Sequence, residues 1–350
     1  MKTFSTLLAL SAASSSVLAG AIVKDVNNLP HTSENGQYGY NDCTKYGDSP
    51  TANCQTVHIE SLDDFCLWAP PTKDVIGSAE PRVVAYCTKP GHGARLMPKG
   101  TIKSAHMQVT PDYIQITGSL DGTKINIPKG DEGGELDPHG AEGNGNPVGG
   151  LVLTSLFGGK LQQVKEWTSF ISDDEFCFKA CRDGPNAWKQ CQHIYDVMGC
   201  WWNVPGNYGS GFDTCKADTL PQFPGEYLVT KNGKVSTSTW KQGINPTPSA
   251  RAPAKSSQCK KQATIAPAAY TTKRVTTTTK PTTTKKTTTK PTTTKAPAQP
   301  TGNGKCKATS ECKQKIPANS HRYCHKTQGC TFVCNKNYKL NAKKTGCVKA

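Results

Sequence analysis

Sixteen cysteines, divided by a threonine-lysine-proline tract, constrain this chain more than any other feature. Ten precede the tract, at Cys43, Cys54, Cys66, Cys87, Cys177, Cys181, Cys191, Cys200, Cys215 and Cys259. Six follow it, at Cys306, Cys312, Cys324, Cys330, Cys334 and Cys347. Both counts are even, so each side can close its own disulfides without the other. The pattern predicts two separately stapled domains in an oxidising compartment.

The N-terminus agrees with that compartment. Lys2 precedes a short apolar run, Leu7 to Ala13, and Val17-Leu18-Ala19 offers small residues for cleavage. Residues 1–19 are read as a secretory signal peptide. The run is too short to span a bilayer, and no later stretch reaches spanning length. The end of the sequence lacks the apolar tail of a GPI signal. The expected location is secreted, extracellular or cell wall, with neither a transmembrane segment nor a GPI anchor.

Charge is unevenly spread. Residues 251–350 carry 22 Lys and Arg against one acid, Glu311, while residues 20–250 carry 19 against 25 acids. A mildly acidic body thus bears a strongly basic tail. Secretion excludes nucleic acid as the natural partner, so the tail suits anionic or cell-wall glycans, or simply keeps a stalk extended. The stalk, residues 264–305, repeats TTTKPTTTKK as TTTKPTTTKA. It has too few apolar side chains to offset the entropy of ordering. Its composition predicts mucin-like O-glycosylation, and no Asn-x-Ser/Thr sequon occurs in the sequence. Lys273-Arg274 is a candidate processing site.

Residues 20–263 are long enough to bury one core. Tyr113–Thr117 and Lys124–Ile127 alternate around Asp121-Gly122 and predict a hairpin; Glu226–Thr230 and Lys234–Thr239 around Asn232-Gly233 predict a second. Val83–Tyr86 and Leu151–Thr154 read as strands. Ser61–Asp64 reads as a capping box opening a short helix. Trp188, Cys191, Tyr195 and Met198 read as one face of a helix stopped by Gly199. Cys177 and Cys181 are one helical turn apart and should staple two partners. The expected fold is α+β or mainly β, pinned by disulfides.

The densest chemistry lies in Gly130–Gly150, which holds Asp131, Glu132, Glu135, Asp137, His139 and Glu142. Its spacing fits neither an EF-hand nor HExxH, so no metal site and no cofactor are assigned. Three readings stand: a solvated turn-rich loop, clustered oxygens with one imidazole that bind a cation, or an acid–base site with Glu135, Asp137 and His139 as catalytic candidates. Trp201-Trp202 beside Cys200 reads either as core or as a sugar-stacking platform. His193 reads as a surface or hydrogen-bonded histidine. No Gly-x-Ser-x-Gly elbow is present.

Several long runs, among them SLDDFCLWAPP, GDEGGELDPHGAEGNGNPVGG and EWTSFISDDEFCFKACRDGPNAWKQCQHIYDVMGC, resemble the fungal secreted macrophage-activating glycoproteins over residues 25–260. That resemblance implies an extracellular glycoprotein, with no catalytic residue to carry over and with host receptors engaged through O-glycans. The six cysteines of 306–350 are separated by 5, 11, 5, 3 and 12 residues. They resemble the PriA-type cysteine-rich module of fungal secreted proteins and, more loosely, the last loop of an EGF domain. Asn337 stands where a glycine is usual before Tyr338. Two functions follow as expectations: a non-catalytic cell-wall or extracellular glycoprotein that binds glycans or is recognised by a host, or a polysaccharide-active enzyme with an appended binding module.

Overall fold

The structure is a computed structural model. It describes residues 22–265 and, further on, four strands at 320–325, 329–334, 338–340 and 347–349. The signal segment, most of the stalk including Lys273-Arg274, and the side chains of the six C-terminal cysteines lie outside the described residues. The chain divides into two units, Met1–Val275 and Thr276–Ala350.

The first unit is mainly β. In chain order its strands are β1 (Thr56–Ser61), β2 (Asp64–Ala69), β3 (Val84–Cys87), β4 (Arg95–Leu96), β5 (Ile102–Val109), β6 (Tyr113–Leu120), β7 (Gly134–Leu136), β8 (Leu151–Thr154), β9 (Gln162–Val164), β10 (Glu166–Ile171), β11 (Glu175–Cys181), β12 (Phe212–Ala217), β13 (Glu226–Lys231), β14 (Lys234–Thr239) and β15 (Ser256–Gln262). The first sheet runs β4-β3-β2-β1-β8-β9 and the second β15-β12-β5-β6-β11-β10-β7. One core spans both: Trp68 of β2 meets Trp167 of β10 at 4.6 Å between ring centroids and Phe178 of β11 at 5.5 Å, while Phe65 stacks on Phe176 at 6.0 Å. This is a β-sandwich, filled by aromatic rings from facing sheets.

The central strands β6 and β11 of the second sheet are buried on both faces. Along β11, Phe176, Phe178 and Ala180 enter the shared core, and the alternating Cys177, Lys179 and Cys181 face outward, as a two-residue period requires. The segment after β11 folds back over that outer face. Disulfides Cys177–Cys200 and Cys181–Cys191 bolt it down, and it carries two short helices, α1 (Ala187–Gln190) and α2 (Gly199–Asn203). The remaining pairs are Cys43–Cys54, Cys66–Cys87 and Cys215–Cys259, the last fastening β15 to β12. Among the described residues no cysteine is free.

Several local expectations hold. The Asn232-Gly233 hairpin joins β13 to β14, with φ of 51° and 72° at the two turn residues, as that turn type demands. Cys177 and Cys181 do share a side and do take two partners, but on a strand: four residues return to one face in either geometry.

Others are corrected. Tyr113–Thr117 belongs to β6, whose hairpin partner is β5; Lys124–Ile127 forms no strand. A 3-10 turn over Gly122–Ile125 ends at Asn126 with φ 70°, and this turn buries both Ile125 and Ile127 without a ladder. Asn126 is held there by its amide, which donates to the Pro70 carbonyl at 3.0 Å and the Tyr86 hydroxyl at 2.8 Å. Ser61–Asp64 is a tight turn between β1 and β2, since the flanking strands pair and bury Phe65. The helix expected over Trp188–Met198 is one turn long, and Gly199 opens the next helix instead of closing this one. The two disulfides dictate that path.

The second unit is described by its backbone. Strands Ser320–His325 and Gly329–Cys334 pair antiparallel, as do Tyr338–Leu340 and Cys347–Lys349.

Candidate functional site

Strand β10 sets out the site. Trp167 and Ile171 point into the core, so Glu166, Thr168 and Phe170 stand on the outer face. The edge strand β7 pairs Glu135 opposite Phe170. Over this face lies the bolted segment, which brings His193 and Asp196 between its two disulfides. From the first sheet's side, the 3-10 turn Glu80–Arg82 adds Glu80.

Glu135, Asp137 and His139, offered by the sequence as solvated or catalytic, are all buried, at most 7% exposed. Glu135 accepts from the Thr168 hydroxyl at 3.2 Å and shares a hydrogen bond with the Asp196 carboxyl. Burial, the neighbouring charge of Asp137 and that carboxyl–carboxyl contact push its pKa up to about 10, so it holds its proton at neutral pH. Asp137 serves its own loop: Oδ1 accepts from the backbone N–H of His139 at 2.7 Å and of Gly140 at 2.8 Å, and its backbone bridges that of Asn146. Glu80 accepts from the Asn146 amide at 2.9 Å. Burial raises Glu80 to about 7. Gly134 makes room for it, since a Cβ there would meet Glu80 Oε1 at 2.2 Å.

Beside this acid group sit two histidines. His139 Nε2 lies 3.2 Å from Glu166 Oε2. Its ring stacks on that of His193 at 4.2 Å between centroids and 19° between planes. His193 is half-buried, its Nδ1 is buried without a hydrogen-bond partner, and burial lowers its pKa. One ligand atom from each of His139, Glu166 and His193 lies within 4.8 Å of the other two.

The tryptophan pair separates. Trp202 is buried beside Tyr195 and Trp240 at 4.6 and 5.3 Å. Trp201 is 55% exposed, tilts against Tyr208 at 4.4 Å and donates its indole N–H to Glu175 at 2.7 Å. One ring of the proposed platform is core; only the other is open to a ligand. Of the loop's remaining acids, Asp131 accepts from the Ile76 N–H at 2.7 Å and Glu142 is exposed.

Sequence reasoning placed three members of this cluster and missed Glu80, Glu166, His193 and Asp196. Glu80, Glu166 and the His193–Asp196 pair lie tens of residues from one another and from the loop, and no local spacing marks them. Only the sheet register and the disulfide path bring them together.

No family model matches the chain, and no solved structure matches it. Among characterised proteins, it is 52% identical over 231 residues to the appressorium protein ROW2 of Mycosarcoma maydis, an alignment covering 64% of this chain and 77% of that protein. It is 48% identical over 233 residues to the appressorium protein ROW1 of the same organism, covering 65% of this chain and 53% of ROW1. Identity at this level across most of a relative's length is kinship, and the chain belongs to the family of the fungal appressorium proteins ROW1 and ROW2.

Proposed function

We propose that this protein is a secreted fungal glycoprotein, held in the cell wall or released around the cell, that serves the appressorium by binding and not by catalysis. The observation that carries the reading is the closure of all ten body cysteines in five disulfides, which belongs to an oxidising compartment. The burial of Glu135, Asp137 and His139, each at most 7% exposed, supports a structural role for them over catalysis. The names of the two relatives, and the resemblance of residues 25–260 to macrophage-activating glycoproteins, support the setting. The O-glycosylated stalk and basic tail then present the body to wall or anionic glycans and to host receptors.

The test is fractionation of an appressorium-forming fungus expressing a tagged full-length chain. Recovery from medium or wall, with slow migration reversed by chemical deglycosylation, is the expected result. Recovery only in the cytosol as a reduced, unmodified chain overturns the reading. Retention on anionic wall glycan should weaken at about 1 M salt, where charge is screened within about 3 Å.

A polysaccharide-active enzyme remains the second reading, favoured by one observation: Glu135 keeps a proton beside Asp196, as a general acid would. Against it, carboxyls in direct contact sit closer than the 5 to 9.5 Å or so that glycosidase pairs use. Turnover of wall glycans that vanishes in Glu135→Gln would establish this reading instead.

A further inference from the structure

We propose that His139, Glu166 and His193 form a zinc-binding site on the outer face of the second sheet. Three observations carry it. First, the donors come from three separate elements yet converge: a loop after β7, the start of β10, and the segment bolted by Cys181–Cys191 and Cys177–Cys200. Two histidines and one carboxylate are the ligand types of an open zinc site, with a fourth position left for water or a ligand. Donors about 2.1 Å from one tetrahedral ion are about 3.4 Å apart. The three here lie within 4.8 Å of one another, so a shared ion would draw them together and turn the two imidazoles out of their stack toward it.

Second, His193 Nδ1 is buried with no partner. A buried polar nitrogen left unsatisfied is costly, and each such atom in a folded protein calls for an explanation. An ion bound beside it supplies one. Third, the surroundings are anionic. Glu166 holds a carboxylate oxygen 3.2 Å from His139 Nε2, and Asp137 Oδ1 lies 2.7 Å from the His139 backbone N–H, so carboxylates gather about the donors.

A second stacked histidine pair in the same sandwich provides the contrast. His58 and His92 also lie 4.2 Å apart, at 27°. There His92 Nε2 has its own carboxylate, Asp64, at 2.7 Å, and His58 Nδ1 has Glu60 at 4.0 Å. Each ring is separately matched. Among the described residues, no second set of three donors converges as the His139 set does. Ring stacking alone therefore does not make a site; the shared carboxylate and the orphaned nitrogen distinguish this one.

The experiment uses the full-length, oxidised protein, stripped with a chelator and titrated with zinc against a chromophoric competitor. The expected result is one tight zinc per chain, with affinity at least tenfold lower in His193→Ala and in Glu166→Gln, and unchanged in His92→Ala. Zinc bound equally tightly by wild type and both site variants overturns the proposal, since the ion then sits elsewhere, as does the absence of tight zinc in the wild type. Should a variant fail to fold, cobalt titration of the wild type decides. Visible ligand-field bands saturating at one equivalent and displaced by zinc support the site, and their absence overturns it.

Discussion

The two faces of the second sheet are built from the same strands on opposite principles. The inner face is oil: Trp167, Phe176 and Phe178 interlock with Trp68 and Phe65 of the facing sheet. The outer face mixes polar groups with two small apolar clusters, around Tyr113 and Phe170. Gln115 donates to the Pro205 carbonyl at 3.0 Å, Thr117 to that of Asn207 at 2.6 Å and Gln108 to that of Ala254 at 3.3 Å, while Lys179 and Glu135 are buried outright. Hydrophobic contact alone fills the inner layer, whereas disulfides and hydrogen bonds join two small apolar clusters in holding the outer one. The lesson is that a mostly coil segment bringing only small apolar clusters, Ala187 against Tyr113 and Val204 against Phe170, can cover a sheet when it is covalently pinned, and it then places polar groups at depth beside them.

The comparison can be broken by substitution on either side. Trp167→Ala should cost the most, about 3 to 5 kcal/mol, by opening a cavity in the interlocked rings. Chemical denaturation measures it, and a loss below 1 kcal/mol would show the inner face to be loosely packed. Replacing Cys177 and Cys200 together by Ser should cost about 3 kcal/mol and make the segment around His193 sensitive to proteolysis. Unchanged protease resistance would mean the outer layer does not depend on its bolts.

The outer acids sharpen the contrast through pH. Glu80 holds its proton to about pH 7 when folded and Glu135 to about pH 10, whereas both release it near 4.5 when unfolded. Between those values the folded state binds more protons, so stability falls as pH rises, by about 3 kcal/mol for Glu80 by pH 8. Thermal unfolding across pH 5 to 8 should show that slope, and Glu80→Gln should roughly halve it below pH 7, leaving the contribution of Glu135. A slope that is identical in the variant places the titration elsewhere.

Two smaller effects complete the series. Lys179 lies under the Tyr113 ring at 4.1 Å, and burial holds its pKa far below the usual lysine range. Lys179→Met should stay within about 1 kcal/mol or stabilise, because an apolar replacement removes the cost of burying an amine. A loss above 3 kcal/mol would assign the amine a partner that matters. Trp201→Ala should change stability by less than about 0.5 kcal/mol, as exposed positions do; its effect belongs to glycan retention, which the same variant reads.

Much of the fold was legible. The even count of ten body cysteines predicted their closed pairs, and the Asn232-Gly233 turn and the Leu151–Thr154 run were read from residue chemistry alone. What failed did so for one reason: short-range signals were outweighed by long-range ones. The Ser61–Asp64 cap lost to strand pairing, the Ile125/Ile127 alternation to an Asn126 turn, and the Trp188–Met198 face to two disulfides. Within the site, Glu135, Asp137 and His139 were found because they crowd one loop. Glu80, Glu166, His193 and Asp196 were not, because their proximity exists only in the folded register.

The bond between Cys215 and Cys259 has a mechanical consequence. Strand β15 is an edge strand of exposed residues, the kind that peels away readily when its end is pulled. The chain beyond it leads into the basic tail, where any attachment to a surface would apply tension. That tension travels along β15 only as far as Cys259 before it meets a covalent link to β12, so a tug on the tail is arrested at the rim and the sandwich is not unzipped.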